Sequence, residues 1–179
     1  MKKKIVFFYG REVGTKIKNI LKNDKNLKIV YFIKVGNKTN PSHINFDKKQ
    51  KKKSWDKIYE KLKKIKNFTI ITAWWGFILP TRILKLSNKK TINLHPSFLP
   101  FGRGKYSNIW SILNNEPYGS TLCSLGNGID NGGIYVQKKI KYDLSHTAED
   151  LYKISVEKLI NLFKLHYKSI LSGKIKIKK

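Results

Sequence analysis

Two kinds of patterning run along this chain: short, unbroken apolar runs, and longer stretches where apolar residues recur every three or four positions. Ile5 to Tyr9 is the first run and is closed by Gly10, which predicts a buried strand. Between Glu12 and Leu21, the spacing of Val13, Ile17, Ile20 and Leu21 predicts a short helix. Leu27 to Val35 is rich in β-branched and aromatic residues and reads as a second strand. Residues 36–53 hold Gly, Pro, several Asn and a lysine run, and read as a long, mobile loop. Trp55, Ile58, Tyr59, Leu62 and Ile65 then form one helical stripe. "NFTIITAWW" reads as a third buried strand, with Trp74 and Trp75 as core aromatics.

Pro80 opens a short helix, "PTRILKLS", in the position where proline costs no hydrogen bond. "KTINLH" is a fourth strand, and "SNIWSILNN" a helix with Ser107 as its expected cap. "YGSTLCSL" and "GIYVQKKIKY" are two further strands, joined by a glycine-rich loop. The last helix starts with the capping-box pattern of Thr147 and Asp150 and carries a stripe from Ala148 through Leu159 and Phe163 to Ile170. The lysine-rich segment 173–179 is expected to fray. Apolar strands alternating with helices predict an α/β, Rossmann-like fold: a mostly parallel sheet with helices on both faces, in a single domain over 1–179. Ligands of such sheets bind beyond the carboxyl ends of the strands.

Composition adds little to the fold but narrows the setting. The apolar run at the N-terminus is too short for a signal-peptide core, and no segment approaches a membrane span. With one cysteine, Cys123, no internal disulfide is possible, and a cytoplasmic location is expected. The formal net charge is +27 and comes almost entirely from lysine; Arg11, Arg82 and Arg103 are the arginines. Binding to nucleic acid is one reading of that charge, but readers of base edges rely on arginine. A lysine-favouring codon bias is the preferred reading. Under either, a basic surface attracts anionic small molecules.

The candidate chemistry lies in "INLHPSFLPFGRG". Asn93 and His95 stand two apart at a strand end, so both side chains face one space while Leu94 turns to the core. Pro96 and Pro100 stiffen the loop after His95, and Gly102 and Gly104 bracket Arg103. A second segment, "GNGIDNGG", places Asp130 among glycines between two strands. It reads as a hairpin turn by its residue types, and equally as a flexible mount that aims a carboxylate at an imidazole. The histidines are scattered and Cys123 stands alone, so no metal site is expected.

Taken together, "INLHPSFLPFGRG", "NIWSILNNEPYGSTL" and "GIDNGGIYVQ" resemble the 10-formyltetrahydrofolate-dependent formyltransferases, in order and at similar spacing over roughly Phe68 to Gln137. That family includes enzymes acting on methionyl-tRNA, glycinamide ribonucleotide and amino sugars. The resemblance implies catalytic roles for Asn93, His95 and Asp130. It implies contacts to the cosubstrate 10-formyltetrahydrofolate from Phe77, Ile78, Leu79, Pro80, Gly128 and Ile129, and contacts to the acceptor from Arg103, Tyr106 and Asn108. Departures from the family pattern are Asn131 and Gly133 after the aspartate, and Cys123 where a histidine is common. "YGREVGTK" lacks the phosphate loop of the glycinamide ribonucleotide enzymes, and the sequence stops where the tRNA enzymes would be expected to continue into a barrel domain. The expected acceptor is therefore a primary amine on a nucleotide-linked amino sugar, in an enzyme expected to be a homodimer. Methionyl-tRNA or glycinamide ribonucleotide as the acceptor, hydrolysis of the formyl cosubstrate, and a non-catalytic nucleic-acid-binding domain on the same scaffold are the alternatives.

Overall fold

The computed structural model describes residues 2–36, 43–87, 90–143 and 145–178. By its internal contacts the chain forms two compact units, Met1–Ile92 and Asn93–Lys179, where the sequence reads as one domain.

The first unit holds β1 (Lys3–Tyr9), α1 (Arg11–Asn23), β2 (Leu27–Val35), β3 (His43–Phe46), α2 (Lys51–Leu62), β4 (Phe68–Ala73) and α3 (Thr81–Leu86). β1 pairs in parallel with β2 on one side and β4 on the other, and β2 pairs in parallel with β3. Ile5–Tyr9 and all of β4 are buried, as a parallel strand covered on both faces requires. Two expectations change here. The loop expected over 36–53 contains β3 and the first residues of α2; residues 37–42 lie outside the described residues. β3 escapes the pattern because it is a four-residue edge strand with only Ile44 and Phe46 turned inward. The third strand also ends earlier than read. Trp74 takes a left-handed backbone (φ 53°), and Trp75 is half-buried in an aromatic cluster with Phe8, Phe46, Trp55 and Phe77.

β5 (Thr91–His95) starts in the first unit and finishes in the second, which adds α4 (Ser107–Leu113), β6 (Tyr118–Cys123), β7 (Ile134–Ile140) and α5 (Ala148–Ser172). The strand order is β3-β2-β1-β4 in the first unit and β5-β6-β7 in the second. The β5–β6 and β6–β7 pairings are antiparallel, so the parallel pattern belongs to the first unit. The reason lies in the connections. A glycine loop joins β6 to β7 with no helix between them, and a parallel crossover needs a dozen or more residues. α5 starts with the expected capping box between Thr147 and Asp150 and ends at Gly173 in the left-handed conformation.

Two further corrections concern chain ends. Ser107 is not the cap of α4: Tyr106 occupies that position with φ 60° and no side-chain cap, while the Ser107 hydroxyl donates to the Pro96 carbonyl at 2.7 Å. The segment expected to fray is tied down through residue 178. The Ile175 N–H donates to the Ser169 carbonyl, and the Lys178 N–H donates to the Ile134 carbonyl at 2.8 Å in an antiparallel bridge. Ile177 packs onto Gly133 there, an apolar contact hidden among lysines.

Candidate active site

β5 delivers Asn93 and His95 from one face, with Leu94 buried between them. Its antiparallel register sets Cys123 opposite Asn93 and Thr121 opposite His95. The chain after His95 is then fastened by side chains of the second unit. Thr121 Oγ1 donates to the Ser97 carbonyl at 2.7 Å, and Gln137 Nε2 donates to the Leu99 carbonyl at 2.9 Å. These bonds, added to the stiffness of Pro96 and Pro100, hold the loop in one shape.

The Gly-Arg-Gly triplet acts through its backbone. The Gly102 carbonyl lies 2.9 Å from His95 Nε2. A carbonyl only accepts, so that ring nitrogen carries a proton. Two residues on, the Gly104 N–H donates to Asp130 Oδ2 at 3.0 Å. Gly102 has φ +62°, and a Cβ there would meet Ser107 Cβ at 3.0 Å and Ser97 Cβ at 3.2 Å. Glycine is therefore required both by conformation and by space.

Asp130 is the hub. Its Oδ1 accepts from Asn93 Nδ2 at 3.0 Å, and its Oδ2 lies 3.5 Å from His95 Nδ1. The aspartate itself has φ 43°, a left-handed conformation uncommon for a residue with a side chain. Its loop is stapled at both ends. Asn131 Oδ1 accepts from the Gly128 N–H, and Ser124 and Gly133 exchange hydrogen bonds through the Ser124 N–H and Oγ. The His95 side chain is 7% exposed and that of Asp130 18%, so the carboxylate keeps an open side.

Cys123 lies beside this group, its sulfur 3.8 Å from Asn93 Nδ2. Burial, and secondarily the negative charge of Asp130, push its thiol up to about 12. It is a neutral, packed side chain and no nucleophile.

Of the residues expected to line a ligand, Leu79 is buried, Phe77 and Pro80 are half-buried and Ile78 is exposed, all on the segment leading into α3. Phe77 packs against Phe46 with the rings tilted by 43°, their centroids 4.7 Å apart. In the second unit, Gly128 is half-buried and Ile129 is exposed; Ile129 Cγ2 would touch a Cβ at Gly104. Arg103 and Tyr106 are exposed. Asn108 is already engaged: its Nδ2 donates to the Ala148 carbonyl at 2.7 Å and ties α4 to the first residue of α5. Sequence reasoning missed the backbone roles of Gly102 and Gly104, the staples from Asn131 and Ser124, and the tail packing. Only the glycines themselves signalled any of these.

Residues 13–161 match the model of a family described as formyl transferase. Among curated relatives, a GDP-perosamine N-formyltransferase of Brucella melitensis biotype 1 is 37% identical over 46% of this chain and 32% of its own length. A methionyl-tRNA formyltransferase of Clostridium novyi is 36% identical over 53% of this chain and 31% of its own. The matched stretch thus spans about a third of either relative. Among solved structures, a formyltransferase from Anoxybacillus kamchatkensis, in complex with UDP-4,6-dideoxy-4-formamido-L-AltNAc and tetrahydrofolate, superposes with TM-score 0.69 at 22% identity. That superposition covers 98% of this chain and 80% of that one, and at such identity it is the fold that is alike.

Proposed function

Because the chain belongs to the formyl transferase family, we propose that it moves a formyl group from 10-formyltetrahydrofolate to the primary amine of a nucleotide-linked amino sugar. The observation that carries this reading is a single carboxylate, Asp130, within 3.0 Å of the Asn93 amide and 3.5 Å of the His95 ring. A strand-end amide, an imidazole and a carboxylate gathered around one point can stabilise an oxyanion and move a proton.

In the proposed reaction the amine nitrogen attacks the formyl carbon and a new C–N bond forms. The carbonyl electrons move to oxygen, where the second N–H of the Asn93 amide and the His95 N–H, turned from the Gly102 carbonyl, donate to the developing negative charge. One such donor in a dry site is worth on the order of 3 kcal/mol. Asp130 takes the proton that the attacking amine sheds and passes it to N10 as the bond from carbon to N10 breaks. The products are the formamide and tetrahydrofolate, and no covalent enzyme intermediate arises. 10-Formyltetrahydrofolate supplies the activated formyl group. Ile129, next to Asp130 in the chain, presents exposed apolar surface of the kind that packs on a flat pterin. Tyr106 and Trp110 are exposed rings near Arg103 in sequence, suited to stacking on a base or sugar and to pairing with its phosphates.

The amino-sugar acceptor is supported by the Brucella relative and by the sugar nucleotide in the Anoxybacillus complex. The Clostridium relative supports a second acceptor, methionyl-tRNA, at nearly equal identity. One assay separates them. The protein is incubated with 10-formyltetrahydrofolate and, in parallel, GDP-, UDP- and dTDP-linked 4-amino sugars, methionyl-tRNA, or buffer alone. Mass spectrometry then tracks the gain of one formyl group. Formylation of a sugar nucleotide supports the reading, formylation of the tRNA alone replaces it, and formate release in every arm without an acceptor product points to hydrolysis.

A further inference from the structure

The first unit gathers positive charge at a place that the proposed reaction does not use. Tyr9 ends β1, and Phe32 and Lys34 stand near the end of β2, so the parallel pair brings all three to the carboxyl end of its strands. His43, the first residue of β3, pairs with Phe32; Lys18 stands across from it on α1, with the exposed Lys22 one turn further along that helix. Lys18 Nζ lies 3.2 Å from His43 Nε2 and 4.9 Å from the centre of the Phe32 ring. The Tyr9 hydroxyl lies 3.4 Å from the same imidazole nitrogen, and Lys34 Nζ is 5.9 Å from the Tyr9 ring. Tyr9 and Phe32 are buried, so they form an apolar floor beneath the charged groups.

Among the described residues, no carboxylate lies within ion-pair distance of Lys18, Lys22 or Lys34. Like charges one helical turn apart, with a third across from them, repel each other, and an aromatic floor screens that repulsion less well than water. The surroundings of each group register this. His43 is held below the usual imidazole range by burial first and then by Lys18, Lys22 and Lys34. Lys18 is likewise held low by burial, then by Lys22 and Lys34. Lys22 and Lys34 are exposed, whereas Lys18 is half-buried against the Tyr9 and Phe32 rings and the His43 imidazole.

We propose that Lys18, Lys22, Lys34, His43 and the Tyr9 hydroxyl form a binding site for the phosphate or diphosphate group of a small molecule. A phosphate carries close to two negative charges and three acceptor oxygens, and lysine serves it as a mobile point charge. The ammonium groups would complement that charge, and the Tyr9 O–H and His43 would donate to the oxygens.

The test needs neither folate nor turnover. Inorganic pyrophosphate is titrated into the whole protein at constant ionic strength, and the imidazole proton signals of His43, His95, His146 and His166 are monitored by NMR. A second titration uses a nucleoside diphosphate. The expected result is a saturable shift of the His43 signals, with their titration midpoint moving up when the anion is bound. Lys18→Gln and Lys34→Gln should each weaken binding by about fivefold, and Lys158→Gln on α5 should leave it unchanged. Tighter binding of the nucleoside diphosphate would identify a nucleotide as the source of the phosphate, and equal binding the phosphate group alone; either supports the site. An unmoved His43, or equal weakening by Lys158→Gln, would overturn it, as would saturable binding of an RNA oligonucleotide without any response to pyrophosphate.

Discussion

At the scale of single residues, the candidate site depends on Asp130 keeping three polar contacts at once. Replacing the carboxylate with an amide in Asp130→Asn leaves its size unchanged but removes the proton acceptor. Formyl transfer is expected to fall by at least about a hundredfold with the circular dichroism spectrum unchanged, and His95→Ala is expected to lose a similar factor. Full activity in both would end the assignment of these residues to the chemistry. A second prediction concerns Cys123. With its thiol pushed up to about 12 by burial and by Asp130, it should resist maleimide at pH 8 until the protein is unfolded by denaturant; labelling of the native protein, read by mass spectrometry, is the contrary result. Asn93 and His95 were legible in the sequence because strand alternation and Pro96 fix where such side chains point. The partners that Gly102 and Gly104 offer were not, because a backbone carbonyl or N–H leaves no mark on residue type. The triplet shows only that close approach is allowed. Gly102→Ala, forced into φ +62° against Ser107 and Ser97, should cost about 1–3 kcal/mol, measured by denaturant unfolding.

At the scale of elements, long and periodic segments were read well and short ones were not. α5 was visible from its stripe and from Thr147 and Asp150, because capping chemistry lies in adjacent residues. β3 was not, since four residues with two inward positions carry too little apolar signal to stand out beside lysines and asparagines. Antiparallel pairing of β6 and β7 was legible as a hairpin in their glycine-rich connection, whereas that of β5 and β6 was hidden, because the helix between those strands fits a parallel crossover equally well. The start of α5 also sets a pH dependence. The Thr147 hydroxyl, then its backbone N–H, hold Asp150 below the usual carboxylate range. Just before it, the Ser145 hydroxyl and N–H, with His146, take Asp143 down to about 2. A carboxylate depressed by folding contributes stability above its unfolded value, and that contribution disappears as pH falls through the folded value. Thr147→Ala is therefore expected to lower Tm by about 2–4 °C at pH 7. The destabilisation caused by Asp143→Asn should persist to pH 4 and vanish near pH 2, as measured by thermal melts across that range.

At the scale of the whole molecule, the apolar pattern runs unbroken between Ile92 and Asn93, where β5 passes from one compact unit to the other. The basic tail misled: its charge suggests solvent, yet the chain returns to its own fold. Ile177 lies on Gly133 so closely that no Cβ could fit there, and the Lys178 N–H closes onto Ile134, the first residue of β7. Gly133 is three residues from Asp130 and anchors that loop through Ser124. The tail thus braces the far end of the loop that carries the Asp130 carboxylate. A chain ended at Lys174 would lose this brace while keeping β1 to β7 and α5. Its Tm should change little, because one apolar contact and one bridge are a small part of the buried core. Its kcat for formyl transfer should fall, because the Asp130 loop gains freedom that the reacting geometry must remove. KM for the amine should move less than kcat. A single conservative variant, Ile177→Val, keeps the apolar contact and should retain most of the activity. If the shortened chain matched the full one in kcat, the tail would be packing alone, and the order of the Asp130 loop would rest on Asn131 and Ser124.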